Sequence, residues 1–73
     1  LKQTFKFVKI IVNCEEISLP KGSNIQDLIT QLGYEKKRIA IEINETIIPK
    51  SKHLSHLLES LDRVEVIHAV GGG

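Results

Sequence analysis

The sequence predicts an α+β domain in which one helix covers one face of a mixed β-sheet. Three observations carry that expectation: several short β-branched apolar runs punctuated by Asn, Gly and Pro, a single stretch with helical apolar spacing, and 73 residues, room for only one core. At that length one helix layer on one sheet is about all that can be buried.

From Val8 to Val12 the chain is β-branched and apolar, and it stops at the polar group Asn13-Cys14-Glu15-Glu16. A second short run, Ile17-Ser18-Leu19, ends at Pro20. Two apolar runs separated by so few polar residues predict a β-hairpin, followed by a reversing loop at Pro20-Lys21-Gly22. Ser23 precedes Gln26 by three residues, the spacing of a capping box, and Asp27 adds a carboxylate where the helix dipole favours one.

Ile25, Leu28, Ile29 and Leu32 fall at i, i+3, i+4 and i+7, one apolar stripe on a helix of about ten residues. Gly33 is the expected stop, because the left-handed turn that ends a helix resists a Cβ. After the charged connection Tyr34–Arg38, the run Ile39-Ala40-Ile41-Glu42-Ile43 alternates, with three isoleucines on one face and Ala40 and Glu42 on the other. Asn44-Glu45 reads as a two-residue turn into Thr46-Ile47-Ile48, closed by Pro49. Lys50 to Leu58 is expected to be short helical or irregular chain that turns Leu54, Leu57 and Leu58 inward. Val64 to Val70 is the last strand, with Val64 and Val66 toward the helix and Glu65, Ile67 and Ala69 away from it.

The order β-β-α-β-β-β with one covering helix is that of the β-grasp, ubiquitin-like fold, in which about five strands pack on one main helix and the first and last strands lie side by side. The expected organisation is a β-grasp domain over residues 8–70, a flexible glycine tail over 71–73 and an N-terminal extension over 1–7. Three consecutive glycines hold no regular conformation cheaply, yet they pass through a channel too narrow for any side chain.

Composition narrows the function. A net charge of +1 offers no broad basic face for nucleic acid or an anionic membrane, and three aromatics, Phe5, Phe7 and Tyr34, make poor base-stacking platforms. The single cysteine, Cys14, cannot form an internal disulfide, which fits a reducing, cytoplasmic setting. No apolar run approaches the length of a membrane span. The chain begins at Leu1 instead of Met, so a trimmed or processed start is expected.

Other signals are set aside. His53, His56 and His68 lack a converging ligand and are read as solvent-facing, so no metal is expected. Cys14 sits beside Glu15 and Glu16, whose charges disfavour a thiolate. Gly22 and Gly33 belong to no phosphate-binding loop, and Lys36-Lys37-Arg38 reads as a solvated basic loop. No nucleophile, base and orienting group can be assembled, so an enzyme is not expected.

Four stretches together resemble the ThiS-like sulfur carriers of thiamine biosynthesis: the opening strand into Asn13, LPKGSNIQDLI (Leu19–Ile29), IAIEINETIIPK (Ile39–Lys50) and DRVEVIHAVGGG (Asp62–Gly73). The chain departs from that pattern at Leu61, where the family has glycine before the aspartate, and in carrying a third glycine. The resemblance implies that Gly73, at the end of the tail Gly71 and Gly72, is adenylated and converted to a thiocarboxylate. A terminal carboxyl has an ordinary pKa of about 3.5, so it is ionised near neutrality and competent to attack the α-phosphate of ATP. ATP would belong to an E1-like adenylating partner, sulfur would come from a persulfide donor, and thiazole synthase would take the sulfur; no cofactor would be held permanently. Docking would fall to the outward sheet face: Ile67, Ala69, Ala40 and Glu42, with Arg63 at the rim. A monomer is the expectation. The competing readings are the sulfur carrier of molybdenum-cofactor synthesis, which shares the fold and the diglycine end, and a non-catalytic ubiquitin-like interaction module.

Overall fold

The computed structural model describes residues 6–69, which form a five-stranded sheet with one α-helix across one face. The elements are β1 (Phe7–Val12), β2 (Glu15–Pro20), α1 (Ile25–Leu32), β3 (Ile39–Ile43), β4 (Thr46–Ile48) and β5 (Arg63–His68), with a 3-10 turn at Lys50–Lys52 before the last strand. The strand order is β2-β1-β5-β3-β4, so the last strand in sequence lies at the centre of the sheet. It runs parallel to β1 and antiparallel to β3. This is the expected β-grasp arrangement.

Both hairpins turn on pairs of residues with positive φ: Asn13 and Cys14 at 47° and 73°, Asn44 and Glu45 at 50° and 72°. That geometry matches the right-handed twist of the flanking strands, and asparagine tolerates it better than most side chains. In the first hairpin the turn is only two residues long. Glu15 and Glu16, expected in the turn, are exposed members of β2, paired with Val12 and Ile11. A primed two-residue turn lets the ladder close immediately beside it, so strand pairing claims the two glutamates.

The helix begins one residue later than the sequence spacing implied. Asn24, in extended conformation, accepts from the Asp27 backbone N–H at 2.7 Å while the Asp27 carboxylate accepts from the Asn24 N–H at 2.9 Å. Ser23 spends its hydroxyl on the Pro20 carbonyl at 2.6 Å and is buried. Gln26 takes no part in the cap; its backbone N–H donates to the His53 carbonyl. The helix closes after eight residues at Gly33, whose φ of 78° is the left-handed stop that a side chain would strain.

Ile25, Leu28 and Ile29 bury the helix face against Ile10 and Val12 of β1, Ile41 and Ile43 of β3 and Val64 and Val66 of β5. Fully burying such side chains is worth roughly 1.5–3 kcal/mol each, enough to hold a helix too short to persist alone.

The segment between β4 and β5 departs from the sequence expectation. Leu58 is buried, but Leu54 and Leu57 are 73% and 55% exposed, and the inward side chain is His53. The reason is backbone hydrogen bonding. The carbonyls of His53, Leu54 and His56 accept from Gln26 N, Asn24 Nδ2 and Ile25 N, which satisfies donors at the helix start and leaves no α-helical stripe to carry residues 54, 57 and 58 inward together. His53, expected in solvent, is anchored through Nε2 to the Ile48 carbonyl at 3.2 Å. His56 is half-buried and His68 exposed.

The turn into β5 is left-handed at Leu61, with φ of 69°, although that side chain is 66% exposed. Asp62 holds the turn: its carboxylate accepts from Glu59 N at 2.9 Å and from Asn44 Nδ2 at 3.1 Å.

Candidate functional site

Along β5 the side chains alternate as expected. Val64 and Val66 are buried under the helix, while Arg63, Glu65, Ile67 and Ala69 are exposed. The antiparallel register with β3 sets Ile67 opposite Ala40 and Glu65 opposite Glu42. The structure therefore brings Ala40, Glu42, Ile67 and Ala69 onto one outward strip, with Arg63 at its far end. Ile67, 43% exposed, is the large apolar side chain of the strip.

The two ends of the strip differ in charge. Glu42, Glu45, Glu65 and Arg63 line a shallow groove at the end where β5 begins. At the other end, Ala69 N donates to the Arg38 carbonyl at 2.9 Å, carrying the ladder one residue beyond β5. There the Tyr34 and His68 rings meet edge to face at 4.8 Å between centroids. A concavity of about 380 Å³ wraps this end of the sheet, lined by Tyr34, Lys37, Arg38, Ile67, Ala69, Lys50 and His53 among others. The sequence supplied the Lys37-Arg38 pair but gave no sign that Lys50, twelve residues later, comes to the same place.

The tail residues Gly71, Gly72 and Gly73 and the extension through Phe5 lie outside the described residues. Among the described residues, no three His, Cys, Asp or Glu side chains converge as metal ligands. No helix among them is long and apolar enough to cross a membrane.

The strand order, with the last strand at the sheet centre and an exposed apolar strip along it, defines a ubiquitin-like β-grasp domain. The model of the ThiS family matches residues 3–73, and the chain belongs to that family. Its members are small sulfur carriers of thiamine biosynthesis and not catalysts. The chain is 41% identical over 65 residues to the sulfur carrier protein ThiS of Bacillus subtilis, covering 85% of this chain and 96% of that one. It is 37% identical over 68 residues to the ycf40 protein of Porphyra purpurea, covering 93% and 96%. A thiazole synthase of Paramagnetospirillum magneticum matches at 29% identity over 66 residues, 90% of this chain but 20% of that protein's length. Among solved structures, a thiamine biosynthesis protein (ThiS) from Geobacter metallireducens superposes with a TM-score of 0.77 at 19% identity, covering 90% of this chain and all of that one, which bears on the fold.

Proposed function

We propose that this chain carries sulfur as a thiocarboxylate on Gly73 and delivers it for thiazole formation in thiamine biosynthesis. The observation that supports the reading best is the position of β5: the strand leading toward Gly73 is held on both sides by β1 and β3, and the outward face beside it is apolar at Ile67, Ala40 and Ala69. A body of this kind is a handle for a terminus that reacts in other proteins' active sites.

The chemistry begins with the Gly73 carboxylate attacking the α-phosphate of ATP in an E1-like partner, releasing pyrophosphate and forming an acyl-adenylate. The terminal sulfur of a persulfide displaces AMP, and a second thiol cleaves the resulting S–S bond to leave the thiocarboxylate. Thiazole synthase takes the sulfur and returns the carboxylate for another round. The thiazole synthase that contains a stretch similar to this chain favours the thiamine branch over molybdenum-cofactor synthesis. Ile67 and Ala69 dock both partners, with Ala40 beside them and Glu42 and Arg63 at the margin.

Intact-protein mass spectrometry tests this. Incubation with the adenylating enzyme, ATP and a persulfide donor should replace one terminal oxygen by sulfur. An unchanged mass under conditions that charge a known ThiS would refute it, and a shift by a whole protein mass would mark a conjugated modifier instead.

A further inference from the structure

Five of the ten Lys and Arg residues, Lys36, Lys37, Arg38, Lys50 and Lys52, fall in the two segments flanking the end of the sheet where β5 finishes. The opposite end of the same sheet carries Glu42, Glu45, Glu59, Asp62 and Glu65, with Arg63 among them. A net charge of +1 thus conceals a strongly polarised molecule.

Lys37, Arg38 and Lys50 line one concavity with Tyr34, Ile67 and Ala69. Glu35 lines it as well, yet among the described residues no carboxylate lies within ion-pair distance of any of the three cations; the ion pair found among those residues, Lys9–Glu16 at 3.7 Å, lies away from the concavity on β1 and β2. Three cations gathered in a concavity, outnumbering its one carboxylate, Glu35, and unpaired with it, beside an apolar strip, are complementary to an acidic protein surface. The four residues from Val70 to Gly73 can span up to about 14 Å, so a nucleotide attacked by the terminal carboxylate need not lie in the cavity.

We propose that this concavity receives an acidic loop of the adenylating partner, and that Lys37, Arg38 and Lys50 accelerate and orient docking while Ile67 supplies the apolar contact. The inference rests on the carrier reading above. The partner's loop brings carboxylates to the three cations as the chain beyond Ala69 enters its active site, so the charge contact acts on encounter and not on the acyl transfer.

The test is adenylation by the E1-like enzyme of the same organism, followed by pyrophosphate release at two ionic strengths. A Lys37→Glu/Arg38→Glu variant, checked for native circular dichroism, should lose about tenfold or more in kcat/KM at low salt with kcat retained, and its salt dependence should flatten. A charge-matched Lys6→Glu/Lys21→Glu control, on the β2 side of the sheet, should behave as wild type. Equal kcat/KM for the Lys37/Arg38 variant and wild type at both salts overturns the proposal, as does an equal loss in the control. A loss confined to kcat also overturns it, because the cations would then act on the chemistry. Wild type that is never adenylated is a separate outcome: it removes the carrier reading itself.

Discussion

The Asn13 side chain takes the place of a strand residue beside Val66. Its Oδ1 accepts from the Val66 N–H at 2.8 Å, across 53 positions of sequence, while the Asn13 backbone N–H donates to the Val64 carbonyl at 2.9 Å. The parallel β1–β5 ladder, whose paired residues are only Ile11 with Arg63 and Val12 with Val64, is thus prolonged past the end of β1 by an amide side chain. The same residue supplies the positive φ of the first hairpin.

Asn13→Ala should therefore cost more than a turn residue ordinarily would, about 1–3 kcal/mol, because it leaves the Val66 donor unpaired and puts a Cβ in left-handed conformation without a compensating bond. Asn13→Gly keeps the turn and loses only the amide. Urea denaturation of both variants separates the two contributions, and equal stability of Asn13→Gly and wild type would show that the side-chain bond contributes nothing.

Leu61 occupies a left-handed position while exposing most of its side chain. Replacing it with glycine should relieve about 1–2 kcal/mol of backbone strain, less the entropy gained by the unfolded chain, for a net gain up to about 1 kcal/mol. Leu61→Ala removes the exposed side chain but keeps a Cβ, and should not share that gain. Thermal melts of the pair decide it.

The helix cap gives a sharper contrast. Asn24→Ala should lose about 1 kcal/mol, since the Asp27 N–H then goes without its partner. Gln26→Ala, at the position that simple capping-box spacing marks, should change stability by less than about 0.5 kcal/mol. The reverse ranking in chemical denaturation would place the cap at Ser23.

Ile67→Asp is expected to fold, because that side chain faces away from the core, yet to fail in thiocarboxylation. Leu54→Asp, at an even more exposed apolar position on the segment before β5, should fold and be charged normally. Mass spectrometry after incubation with the adenylating enzyme reads both. Wild-type charging of Ile67→Asp would reject the docking role of the outward strip.

The fold was largely legible because its signals are local and period-bound. The alternation at Ile39–Ile43 and Val64–Val66, the helical stripe from Ile25 and the stop at Gly33 each follow from a spacing that one element imposes on its own residues. The misreadings lie where distant backbone decides. Leu54 and Leu57 face outward because carbonyls of their segment are committed to the start of the helix, and His53 turns inward to the Ile48 carbonyl. Glu15 and Glu16 belong to a strand because the turn before them takes only two residues. On the outward strip, the pairing of Ile67 with Ala40 followed from strand order and parity. The meeting of Lys37, Arg38 and Lys50 did not, since it depends on where the chain emerges from β4.

The central place of β5 also has a mechanical side. A pull along the strand axis on the chain beyond Ala69 is borne by the β3 ladder over the length of β5 and, behind it, by the β1 pairs and Asn13, so these bonds are loaded in shear and not unzipped one after another. A partner that drew on this terminus along the strand would meet sheared ladders, the arrangement that best resists unravelling the body behind it.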